Sequence, residues 1–309
     1  MSDEIQQHLL NAYKHAKPFC SHGRVADYIP ALAEVDPSKF GMAVALPNGD
    51  FYCAGDTDEP FSIQSVSKVF TLSMALERSG DAIWDCVGRE PSGTSFNSIV
   101  QLETECGKPR NPLINAGAIA TTDRLIDGRP ADEAVEEILA YMREQADDQK
   151  VFIDQRVATS ESETGSRNRS LAHFMAAFSN MRHPIETSLS VYFRQCAIAM
   201  STRQLARAGL HLAFAGTDPL SGKKILSPEN CRHVNAVMMA CGHYDNSGEF
   251  AFRVGLPGKS GVGGGILTIA PGRGAIAVWS PGLNQAGTSF AGSIALEHFA
   301  RALNWSVFT

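Results

Sequence analysis

Strand-like segments lie at the two ends of this chain, and the long stretch between them reads as helix. Near the start, Phe40-Gly-Met-Ala-Val-Ala-Leu46 and Phe51-Tyr-Cys-Ala54 flank Pro47-Asn48-Gly49-Asp50. Asn-Gly between two apolar runs predicts a hairpin. After Gly242, the runs Phe250–Val254, Gly265–Ala270 and Ala275–Trp279 read as short strands separated by Gly and Pro. Residues 111–215 carry helical spacing throughout: 131–148, 169–181, 186–200, and 202–214 behind a Ser201 cap. Further helices are predicted over 5–17, 65–78, 228–240 (Ser227 cap, Pro228 at the first position) and 290–304. A two-stranded hairpin is marginal alone, so the strands of both ends are expected to share one sheet. The expectation is an α+β fold. A mainly antiparallel sheet from the N- and C-terminal segments has flanking helices, with an inserted all-helical lobe. The chain forms one domain over 1–309, with a sheet lobe from 1–64 and 220–309 and a mainly helical lobe over 65–219. No repeat or flexible linker divides it.

Composition narrows the function. Lys and Arg total 27 against 33 Asp and Glu, a net charge of −6, which argues against a nucleic-acid surface. No apolar run approaches the ~20 residues that span a bilayer. The polar start, Met1-Ser-Asp-Glu-Ile-Gln-Gln7, lacks the features of a signal peptide, so a cytoplasmic location with no membrane partner is expected. The seven Cys are scattered without a C-x-x-C pair and read as reduced thiols. The nine His never form H-x-x-x-H, and neither a metal nor a cofactor is expected.

Several motifs fail on inspection. Gly255-Leu-Pro-Gly-Lys-Ser260 has Arg253 where a phosphate loop needs its first Gly. Gly261–Gly265 lacks the strand–turn–helix context of a dinucleotide loop, and no G-x-S-x-G elbow occurs. Ser65-Val-Ser-Lys68 survives. Ser and Lys three apart share a helix face. At a first turn, the free N–H groups and the helix dipole favour a developing anion. A desolvated Lys can be neutral and take the Ser proton. With 27 Ser and 9 Lys in 309 residues, chance alone gives about 0.8 such pairs. A second copy, Ser221–Lys224, lies in a Gly-containing loop and reads as chance. Lys259-Ser260-Gly261 is the only Lys-[Ser/Thr]-Gly, against a chance expectation of about 0.1. Ser-x-x-Lys early and Lys-Ser-Gly in the returning sheet is the order of the penicillin-recognising serine enzymes.

From about Gly23 to Leu303 the chain resembles the serine-dependent glutaminases, a family on the β-lactamase-like fold. The resemblance rests on Val25-Ala-Asp-Tyr28-Ile-Pro30, Gln64-Ser65-Val-Ser-Lys68, Asn111-Pro-Leu-Ile-Asn115, Ser160-Glu161 through Asn168, Tyr192-Phe-Arg-Gln-Cys196, Cys241-Gly-His-Tyr244 and Leu256–Val262. It implies L-glutamine as substrate, Ser65 as nucleophile and Lys68 as base, with Tyr28 and Tyr244 beside them. Asn115, Glu161, Asn168 and Tyr192 would bind the amino acid, and the Ser65 and Val262 N–H groups would form the oxyanion hole. It also implies a homodimer or homotetramer. Each residue has a plainer reading. Asn115 would cap a helix, Glu161 would sit solvated in a polar loop, and Tyr28 and Tyr192 would pack. Ser-Asp-Asn, a penicillin-enzyme motif, is absent, although Ser-x-Asn occurs at 95–97 and 166–168. A different Ser–Lys acyl enzyme and a non-catalytic binding protein stay as alternatives. The polar segment Thr94–Arg110 is expected to be a loop that orders over bound substrate.

Overall fold

The computed structural model describes residues 2–93 and 98–309. Two strands, β1 (Gly41–Ala45) and β2 (Phe51–Gly55), form the predicted hairpin, and Gly49 takes the positive φ of +88° that its turn requires. β6 (Gly258–Ser260), β7 (Gly265–Ala270) and β8 (Gly274–Trp279) return from the other end of the chain. The order is β2-β1-β8-β7-β6, with every neighbour antiparallel. β1 and β8 join the two ends, in register from Gly41 opposite Trp279 to Ala45 opposite Ala275.

Alternation along these strands separates two cores. Met42, Val44, Ile266, Ile276 and Val278 face the terminal helices Ser2–Ala16 and Phe290–Ala302, meeting Leu9, Leu296 and Phe299. Ala43, Ala45, Leu267, Ala275 and Ala277 face the Thr202–Ala213 helix and the rest of the helical lobe. The alanines let that helix approach closely. A Cβ on its Gly209 would lie 2.7 Å from the Leu267 side chain. Ser201 starts the helix with a full capping box with Gln204.

Three sequence expectations change. Phe250–Val254 is helical, within Ser247–Val254. Phe250 and Val254 satisfy either period, since four residues apart is both two full strand alternations and about one helical turn. The structure buries both and leaves Phe252 85% exposed, and Gly255 at φ +71° stops the helix. The helical lobe also contains a small antiparallel sheet, with β5 (Ile198–Met200) between β3 (Phe61–Ser62) and β4 (Phe152–Ile153). Of the segment expected to be a polar loop, Val100–Thr104 is helical with Leu102 buried. Thr94–Asn97, and with it the Ser-x-Asn at 95–97, lies outside the described residues. All seven cysteines are free thiols, and five are buried.

Candidate active site

Ser65 sits in a single 3₁₀ turn, Gln64–Val66, that leads into the Ser67–Ser79 helix. A 3₁₀ turn has three residues per turn, so Ser65 and Lys68 still project from one side. Gln64 is held at φ +50° although it is not glycine, and Tyr244 at φ +58°. Strained backbone of this kind persists only where the surroundings over-determine it. Here the loop Gly261–Gly265 presses on the turn. A Cβ on Gly261 would meet Ile63 O at 2.5 Å, and one on Gly263 would meet Ser62 O at 2.2 Å. Gly264 N–H closes a tight turn onto Gly261 C=O at 2.9 Å. Val262 is the second residue of that turn, a position whose own N–H the turn does not use.

Lys68 is almost completely buried, 1% exposed. Its Nζ donates to Asn115 Oδ1 at 2.7 Å and to Leu113 O at 3.4 Å, and lies 5.8 Å from the Tyr192 ring centre. Burial lowers its pKa to about 8 against the upward pull of Cys196 and Glu161. Asn115 Nδ2 donates onward to Asn168 Oδ1 at 3.0 Å, leaving the Asn168 amide N–H groups as donors for a ligand. Asn115 opens the Asn115–Ile126 helix without capping it. That local task falls to Asn111, whose Oδ1 accepts from Leu113 N and Ile114 N at 3.0 and 3.1 Å. Glu161 lies in a helix, Gln155–Glu163, capped by Asp154, and is 7% exposed. The solvated-loop reading therefore fails. Desolvation pushes its carboxyl up to about 7, opposed by a hydrogen bond from Gln64 and the charge of Lys68.

Tyr244 is buried, with its phenol beside the Ser65 side chain. Burial holds this phenol well above the usual tyrosine range, hence neutral. Tyr192 is buried, and Cys196 lies one turn along its helix. Tyr28 stands at the mouth, 52% exposed. Its segment is fixed by Ala31 N–H donating to Ser160 Oγ at 3.3 Å and by Ile29 packing in a cluster with Val157, Ala158 and Val262.

One cavity of about 100 Å³ brings together Tyr28, Ser65, Asn115, Glu161, Asn168, Tyr192 and Val262. Lys68 and Tyr244 sit behind its wall, through Asn115 and Ser65. The cavity also holds Gln64, Thr164, Arg167 and Cys196, which sequence reasoning passed over. For Gln64 no local signal existed, because its role comes from a backbone conformation that its residue type does not announce. Lys259 was visible as a motif but not as a site residue. It is fully buried, its Nζ lies 4.1 Å from the Tyr244 ring centre, and it donates to Gly242 O and Ser260 O at 2.9 and 2.5 Å. Burial, and then the charge of Lys68, hold its pKa well below the ordinary lysine value. Among the described residues no cluster of His, Cys, Asp and Glu could hold a metal, and no helix is long and apolar enough to cross a membrane.

A hydroxyl beside a desolvated amine, two N–H donors and an enclosed carboxylate suit acyl transfer from an amino-acid amide. The glutaminase family model matches residues 23–308. A glutaminase of Rhizobium rhizogenes is 55% identical over 305 residues, covering 99% of both chains. A thermolabile glutaminase of Rhizobium etli is likewise 55% identical over 305 residues, with 99% of both chains covered. Among solved structures, the probable glutaminase ybaS superposes with a TM-score of 0.94 at 39% identity, over 100% of this chain and 99% of that one. A probable glutaminase from Bacillus subtilis complexed with 6-diazo-5-oxo-L-norleucine gives 0.87 at 33% identity, over 96% of this chain and 94% of that one. Fold and site together define an amidohydrolase on the β-lactamase-like α+β fold. Within that class, the chain belongs to the glutaminase family.

Proposed function

We propose that the chain hydrolyses the side-chain amide of L-glutamine to L-glutamate and ammonia through an acyl-enzyme on Ser65. The observation that carries this is Lys68, an amine buried within one turn of Ser65 with its pKa brought down to about 8. Neutral Lys68 takes the Ser65 proton as Oγ attacks the amide carbon. The Ser65 and Val262 N–H groups receive the oxyanion. Lys68 or the neutral Tyr244 phenol then delivers a proton to the departing nitrogen. Water repeats the sequence on the ester and frees glutamate. Glu161 receives the α-ammonium, while Asn115, Asn168 and Tyr192 hold the α-carboxylate. The Bacillus subtilis relative supports the substrate, since its bound reagent is named as an α-amino acid with a carbonyl at C5. Glutamine's amide carbonyl occupies that position.

The pH profile of ammonia release tests the base. Two ionisations must precede turnover in the free enzyme, Glu161 near 7 and Lys68 near 8. Both active forms are the deprotonated ones, so kcat/KM for glutamine should rise from pH 6 to 8.5. Its slope should approach two below about 7 and flatten above about 8, reported as apparent values of the pair. A profile falling over this range would rule out a lysine base.

The turn offers a second check. In Gly263→Ala the new methyl would overlap Ser62 O, 2.2 Å away. The turn must then shift and carry the Val262 N–H off Ser65. Loss of one oxyanion donor costs roughly 100- to 1000-fold in kcat. A Gly263→Ala enzyme with unchanged kcat would remove Val262 from the mechanism.

A further inference from the structure

The small cavity adjoins a much larger groove of about 1200 Å³. The two share only Tyr28 and Val262. The groove continues along Asp245, next to Tyr244, and along Arg24, Asn284 and Ala286. Its floor is ordered. Arg24 and Leu283 exchange both backbone hydrogen bonds, at 3.0 and 2.9 Å. Asn284 Oδ1 accepts from Ala286 N and Thr288 N, both at 3.0 Å.

Which end of a bound substrate meets this groove follows from the lining residues. Glu161, Thr164, Arg167 and Asn168 line the small cavity alone, so the α-amino and α-carboxylate groups lie away from the groove. Val262, the oxyanion residue, lines both. Ser65 lines the small cavity alone, so the groove begins just past the attacked carbon, at Tyr28 and Val262, the end of the cavity that leaves room for a departing nitrogen. Ammonia needs no such volume. The walls carry both signs of charge, Arg24 against Asp27 and Asp245, and suit a polar group better than a hydrocarbon.

We infer that the enzyme also hydrolyses γ-N-substituted L-glutamines, with the leaving amine seated in this groove, and that γ-L-glutamyl amino acids are the matching class. The inference rests on the glutaminase reading of the site. Ser65 Oγ bonds to the γ-carbonyl carbon, and the carbon–nitrogen bond to the leaving amine breaks. The Ser65 proton passes through Lys68 to that nitrogen. Water then cleaves the ester, yielding glutamate and the free amino acid.

The test measures glycine release from γ-L-glutamylglycine and ammonia release from glutamine, on the wild type and on Ala286→Trp. Ala286 is half-buried on the groove wall and far in role from the chemistry. The expected result is kcat/KM for the dipeptide within about 100-fold of glutamine in the wild type. Ala286→Trp should lower the dipeptide value by roughly tenfold or more while glutamine stays within about twofold, which also shows that the variant folds. Glutamine turnover with no glycine release overturns the groove and leaves the glutaminase reading standing. Glycine release without glutamine turnover does the reverse. Equal loss of both activities in Ala286→Trp overturns the assignment of the leaving amine to the groove.

Discussion

Ser65→Ala should lose glutamine turnover by about 10⁴-fold or more while remaining folded, as removal of a nucleophile from a coupled unit does. The hydroxyl is small and lies in one 3₁₀ turn that carries no side-chain cap, so no helix start depends on it. Lys68→Met should be equally inactive but less stable. It strips the Asn115 Oδ1 of its 2.7 Å donor in a buried setting and loosens Asn168 behind it. The two variants thus separate by melting temperature while agreeing in kcat. Ammonia release from Ser65→Ala within about tenfold of wild type would end the acyl-enzyme mechanism.

Glu161→Gln should discriminate between substrates. The side chain is buried, so an α-ammonium group placed against it has little water to fall back on. Removing the counter-charge of a desolvated pair costs about 2–5 kcal/mol, or roughly 30- to several-thousand-fold in kcat/KM for glutamine. A simple amide or ester without an α-amino group should change little, since it never engages the carboxylate. The loss also depends on pH. Because the carboxyl ionises only near 7 in the empty site, wild type at pH 6 already resembles the variant, and the gap should widen toward pH 8. Binding of glutamine should release a proton below pH 7, which calorimetry in buffers of different ionisation heat would record. Unchanged glutamine turnover would return Glu161 to a structural role. A parallel fall for both substrates would move amino-acid recognition to Asn115, Asn168 and Tyr192.

Much of the fold was legible locally. The Asn48-Gly49 turn, the Ser201 capping box and the Ser227-Pro228 helix start are short-range devices, and each appears where its residues stand. Phe250–Val254 was not, because its apolar spacing fits two periods and only burial against the terminal helices chooses between them. The plain cap reading of Asn115 failed for a related reason. Two asparagines stood four residues apart, and contacts with Lys68 and Asn168 settled which one served the backbone and which the site.

By itself, the sequence determined the chemical groups and their local phase: a serine and a lysine one turn apart, a Gly-rich turn after Lys259-Ser260, and strands at both ends that must meet. Only the tertiary structure decided their chemistry. The lowered pKa of Lys68 and the raised one of Glu161 come chiefly from desolvation. Desolvation is summed over segments that meet only on folding: the 64–68 turn, the helices carrying Asn115, Glu161 and Tyr192, and the 261–265 loop. The strained Gln64 and the open N–H of Val262 depend on the same convergence. No periodicity encodes them, because burial belongs to the packed assembly and not to any one stretch of chain.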